Sequence, residues 1–314
     1  MAERRQKLKN PMSFFSDEWI NQINDEWDKK ERVYHYTSLE TFYKIIEGVQ
    51  DDFFTFHAGS VYTMNDSEEM KRGYDYIKTY LPLIEKELNV PLEYRILNMS
   101  KNIKENRNIN KLFGEWMIND DTTNFVVSFS KDPDILPMWA MYGNNGTGVC
   151  LEFSPYIVKN YYKHKLNDTT FQIDNCVYNE DDIKEFLINN LRIVYKLFLN
   201  TANDEKKRDP FEKAKYLSIM CGIIGAFVKH PGFEYEKEKR LNVFRHIQYW
   251  NFRETRFHHQ YAYVEVPIPI DSLTNVIIGP AADIDYVKNA LILKLRTIGK
   301  KIEPIQSNIP FRLY

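Results

Sequence analysis

Cysteine is scarce in this chain of 314 residues: Cys150, Cys176 and Cys221 are the only three. Each stands alone among apolar neighbours, which argues against a disulfide framework and a Cys-x-x-Cys metal knuckle alike; buried, reduced thiols are expected. Long hydrophobic runs are missing too. Residues 217–228, among the longest, fall far short of the ~20 that span a bilayer, and the charged N-terminus has no apolar signal segment. The expectation is a soluble cytoplasmic protein with no membrane partner. Neither sign of charge is in excess: 42 basic and 44 acidic residues leave a formal net charge of -2, so no global field draws nucleic acid or an anionic surface. A glycine-rich phosphate loop is also lacking. Gly279-Pro-Ala-Ala-Asp283 has too little glycine and an acidic helix start, and reads as structural. His258 and His259 are adjacent; on a strand they point to opposite faces and make no zinc site.

Strand and helix alternate along the chain without repeats. Residues 1–32 read as a charged N-terminal helical arm carrying Trp19 and Trp27, and residues 33–314 as one α+β domain. A strand over 33–37 runs into the capping-box pattern Thr37-Ser-Leu-Glu40, which starts a helix over 38–47. Strands are expected over 53–57 and 61–64, then Asn65-Asp66-Ser67-Glu68 capping a helix with Tyr74 and Ile77, then a mostly helical, polar stretch over 83–124. Residues 155–230 read as a helical insertion with long helices over 181–200 and 210–229. Strands resume over 233–244, 261–268 and 275–278, followed by a helix and two short strands around 301–305 and 311–314.

Two stretches carry chemistry. In the first, residues 125–153, period-two alternation puts Phe125, Val127 and Phe129 on one side of a strand and Val126, Ser128 and Ser130 on the other. Asp132 and Pro133 then open a short helical turn with Trp139 and Tyr142 three apart, so that both rings face one way and can sandwich a flat ligand. The plainer reading makes both rings core aromatics with one polar tip each. In the second, Phe233-Glu-Tyr-Glu-Lys-Glu-Lys-Arg240 read as a strand places Glu234, Glu236, Glu238 and Arg240 on one face. Like charges two apart repel unless they meet solvent, a cation or a ligand. A solvated edge strand satisfies that condition; so does a site where a carboxylate orients a ribose hydroxyl or steadies an oxocarbenium-like transition state, and so does a metal.

Together these residues carry a resemblance. His35 in Tyr-His-Tyr-Thr, Asn65-Asp66, Ser128-Phe-Ser130, Trp139-Ala-Met-Tyr142-Gly143, Glu236-x-Glu238-x-Arg240 and Ile278-Gly-Pro280 follow the order of an uncharacterised bacterial domain family, which in turn resembles the ADP-ribosyltransferase superfamily. That resemblance implies a split mixed or antiparallel β-sheet core with flanking helices, and NAD as substrate. By position, His35 with Tyr36 and Thr37 would hold the ribose of NAD, and Ser128, Ser130, Trp139 and Tyr142 would flank the nicotinamide. Glu236 and Glu238 match the paired glutamates that orient ribose and acceptor, and Arg240 would neutralise pyrophosphate or pair with Glu238. The implied activity is transfer of ADP-ribose to a protein or nucleic-acid acceptor, in the manner of a toxin or phage-defence effector. Lys206-Lys-Arg208, Arg253, Arg256, His258 and His259 would touch a phosphate backbone or, more plainly, water. The alternatives are an NAD glycohydrolase, a non-catalytic nucleotide- or peptide-sensing module, and a metal-dependent phosphodiesterase built on Glu236, Glu238 and Asp66.

Overall fold

The computed structural model describes residues 29–64, 68–95, 122–163, 170–204, 210–254 and 260–311. Residues 1–28 of the expected arm, Asn65-Asp66, most of the polar helical stretch, Lys206-Lys-Arg208, Arg256, His258, His259 and residues 312–314 lie outside them.

The described chain is α+β, built on a mixed, largely antiparallel sheet. Its strands are β1 (Val33–Thr37), β2 (Phe53–Ser60), β3 (Thr122–Ser130), β4 (Val149–Phe153), β5 (Thr170–Asn175), β6 (Glu238–His246), β7 (Asn251–Glu254), β8 (Gln260–Pro269), β9 (Leu273–Ile278) and β10 (Ile305–Gln306). The helices are α1 (Leu39–Glu47), α2 (Glu69–Glu87), α3 (Leu136–Met141), α4 (Pro155–Lys163), α5 (Glu180–Asp204), α6 (Pro210–Gly225) and α7 (Ile284–Arg296). Among the described residues no helix is long and apolar enough to cross a membrane.

The sheet forks at β3. One edge of β3 pairs with β6 along its whole length, from Thr122 opposite His246 to Ser130 opposite Glu238. The other edge is shared: its start meets β2, through Val126 opposite Gly59 and Phe125 opposite Ser60, and its end meets β1, through Ser130 opposite Tyr34. β1 leads on through β4 and β9 to β10, and β2 leads through β8 to β7, so the two branches diverge over Val127–Phe129. Alternation along β3 feeds two cores. Phe125, Val127 and Phe129 join α1, α4 and α7 through Phe42, Val158 and Leu291, while Val126 joins the layer of α2, α5 and α6 through Ile77, Leu187 and Ile224. Burial on both faces explains the apolar run in β3.

Several expectations change. Residues 61–63 form a 3-10 turn, not a strand. The insertion is not wholly helical, because β5 pairs with β6 along Thr170–Asn175. The expected strand over 233–244 starts as a 3-10 turn, Pro231–Glu236, and becomes β6 only after Lys237, whose φ of 42° turns the chain. β6 is no edge strand either, since β3 and β5 flank it.

Candidate functional site

A cavity of about 840 Å³ opens where the branches part, within the size range of small-molecule sites. His35, Tyr36, Ser128, Ser130, Tyr142, Glu236 and Glu238 line it; Thr37, Trp139 and Arg240 do not. His35 reaches it because β1 and β3 separate there. Its Nδ1 lies 3.1 Å from the Ser128 carbonyl oxygen, an acceptor, so Nδ1 carries the proton and Nε2 keeps its lone pair. The ring sits edge-on to Phe56 and Phe129 at 5.1 and 5.9 Å. Burial lowers its pKa against the Ser128 bond, which holds the imidazole neutral near pH 7.

The carboxylates are not a row. Lys237 breaks the alternation, leaving Glu234 exposed while Glu236 and Glu238 turn inward, both buried. Between them sits Lys229, 5% exposed, which follows α6. Its Nζ donates to Glu236 Oε2 and, at 2.7 Å, to Glu238 Oε2. Arg240, fully buried, grips Glu238 from behind with Nε on Oε1 at 2.7 Å and Nη2 on Oε2 at 2.9 Å, and its Nη1 donates to the Ala226 carbonyl. Two carboxylates and two cations sum to zero, the condition under which buried charge is tolerable. Burial pushes the Lys229 pKa down, but Glu238 and Glu236 outweigh it and hold it above the usual lysine range. Burial pushes the Glu238 pKa above the usual carboxylate range, outweighing the downward pull of Lys229 and the Ser128 hydroxyl. On the cavity side the Tyr142 hydroxyl donates to Glu236 Oε1 at 2.8 Å.

The remaining candidates act as framework. Ser130 Oγ donates to the Glu236 carbonyl at 2.8 Å and accepts from the Asp132 amide at 3.1 Å, fixing both edges of the site. The Tyr36 hydroxyl donates to the Asp132 carbonyl at 2.9 Å and accepts from the Ile135 amide at 3.1 Å, steering the chain into α3. Trp139 and Tyr142 do not sandwich a ligand. Trp139 is fully buried edge-on to Tyr36 at 4.9 Å, with Nε1 donating to Asp134 Oδ1 at 2.6 Å. Only Tyr142, just past the end of α3, faces the cavity.

The sequence signal for Lys229 is faint: a lone lysine that closes the apolar stretch 217–228. His57 is exposed in the cavity wall and stacks on Tyr263 at 4.2 Å. Cys150, Cys176 and Cys221 are buried free thiols, each with its pKa raised by burial. Among the described residues no group of three or more His, Cys, Asp or Glu side chains is arranged to hold a metal ion. Of the phosphodiesterase set, Asp66 lies outside those residues, and Glu236 and Glu238 face Lys229.

Residues 138–241 match the model of a family described as "Protein of unknown function (DUF2971)". The match runs from α3 to the start of β6 and so takes in Trp139, Tyr142, Lys229, Glu236, Glu238 and Arg240. Comparisons with curated proteins and with solved structures find no match.

Proposed function

We propose that the protein consumes NAD in the manner of an ADP-ribosyltransferase, breaking the bond between nicotinamide and ribose and passing ADP-ribose to a macromolecule, as a toxin or antiviral effector would. One observation carries this reading. At the fork of the sheet a single cavity gathers a histidine from β1, two serines from β3, a tyrosine from the end of α3 and two buried glutamates from the 3-10 turn and the start of β6.

In this reading nicotinamide lies against Tyr142, and His35 Nε2 accepts a hydrogen bond from a ribose hydroxyl. The C1′–N bond breaks with its electron pair leaving on nicotinamide, which neutralises the pyridinium. The positive charge passes to the ribose as an oxocarbenium ion, and Glu236 is the carboxylate nearest Tyr142 to steady it. A nucleophile then attacks C1′ and gives up its proton to Glu236 or to solvent. Lys229 holds both carboxylates in place, and Arg240 holds Glu238 from behind. The test is nicotinamide release from NAD labelled on adenylate phosphate, with and without bacterial lysate. Release by the wild type that falls at least about a hundredfold in Glu236→Gln, with label on protein or nucleic acid, is expected; one lost preorganised interaction is worth roughly that much. Release by the wild type with label on free ADP-ribose alone points to a glycohydrolase. Absence of release under all conditions overturns the proposal.

A second reading has its own support. Lys229 and Arg240 already neutralise both glutamates, which suits a module that binds a nucleotide without turnover. It is distinguished by NAD binding with no nicotinamide release.

A further inference from the structure

The cavity continues past the glutamates to a second wall made by β2, β7 and β8. Arg253 of β7 lies there with its guanidinium 4.8 Å from the Tyr261 ring centroid and 5.7 Å from that of Tyr263. Two aromatic faces hold the planar cation in one orientation, with the Tyr261 hydroxyl also within reach of one of its five N–H groups. Arg253 is exposed, and the described residues give it no carboxylate partner. On β8 the side chains of Tyr261, Tyr263 and Glu265 fall on one face by period two. Glu265 is exposed, lines the cavity and stands opposite His57, which stacks on Tyr263. The floor between them needs a glycine. A Cβ at Gly59 would come within 1.6 Å of the Tyr261 hydroxyl, so the phenol lies across β2 only because position 59 has no side chain.

A guanidinium that binds phosphate oxygens in a fork and a carboxylate that accepts from a vicinal diol are the two elements that recognise a ribose phosphate. We propose that this wall is a nucleotide subsite in which Arg253 takes the phosphate and Glu265 the ribose hydroxyls. It deepens the NAD reading, where it would hold the adenylate half, but its binding chemistry does not depend on cleavage.

Calorimetric titration with ADP, adenosine and inorganic pyrophosphate separates the parts. ADP should bind the wild type. Arg253→Ala should weaken ADP and pyrophosphate at least tenfold and leave adenosine nearly unchanged. Glu265→Ala should weaken ADP and adenosine and leave pyrophosphate unchanged. Both positions are exposed, so folding should survive, and circular dichroism checks that it does. No ADP binding to the wild type, or equal ADP affinity in either variant, overturns the subsite. Normal ADP binding without nicotinamide release leaves the subsite standing and removes the transferase reading alone.

Discussion

Lys229 decides what the glutamates are. Without its ammonium, Glu236 and Glu238 would leave Arg240 alone to balance two buried carboxylates, a net charge of one among side chains that are almost wholly buried. Lys229→Met should therefore cost about 3–5 kcal/mol of stability in urea unfolding. Adding Glu236→Gln, which restores neutrality around the Glu238–Arg240 pair, should recover most of it. A loss below about 1 kcal/mol in the single variant would mean that water reaches the quartet and screens it. The pairing Glu236-x-Glu238 was visible in the chain, but its meaning was not. A row of like charges looks solvated or catalytic until the opposing cation is seen, and that cation sits behind the turn that Lys237 makes at φ 42°. For Trp139 the structure agrees with the plainer reading, a core aromatic with one polar tip. Spacing along a short helix puts two rings on one side, but only tertiary packing against Tyr36 and the bond to Asp134 decide which ring stays inside.

Elements with strong local signals emerged where expected. β1, α1 with its Ser38 cap, β3 and α7 follow from alternation, capping and period. β5 and β7 did not, because β5 is six residues and β7 four, too short for a local pattern to stand out, and each is defined by its ladder to β6 or β8. The helical layer depends on a close crossing that a sequence read alone conceals. A Cβ at Gly73 of α2 would meet the Gly225 carbonyl oxygen of α6 at 2.4 Å and its Cα at 2.8 Å, all backbone with no room to give. Gly73→Ala should push α2 off α6 and cost about 1–3 kcal/mol in thermal or urea unfolding, despite alanine being the better helix former by ~1 kcal/mol. A stabilised Gly73→Ala protein would show that the helices separate freely.

At the scale of the whole molecule, the fork and the two cores belong together. β3 is buried on both faces, so its partner strands can part on one edge without exposing core, and the gap becomes a cavity lined by β1, β2, β3 and β8. The split sheet was an expectation of the resemblance. Its alternating strands were legible; the branch point was not, because strand order depends on pairing across distant segments such as Ser130 with Tyr34 and Val126 with Gly59. The most direct test of the account is a crystal structure with an NAD analogue whose ribose ring oxygen is replaced by methylene, so that it binds but cannot form the oxocarbenium ion. The account predicts the nicotinamide ring against Tyr142, its pseudo-ribose between His35 and Glu236, and the adenylate phosphate on Arg253. The analogue bound away from the fork, or nicotinamide lying at the Arg253 wall with the quartet untouched, would contradict it.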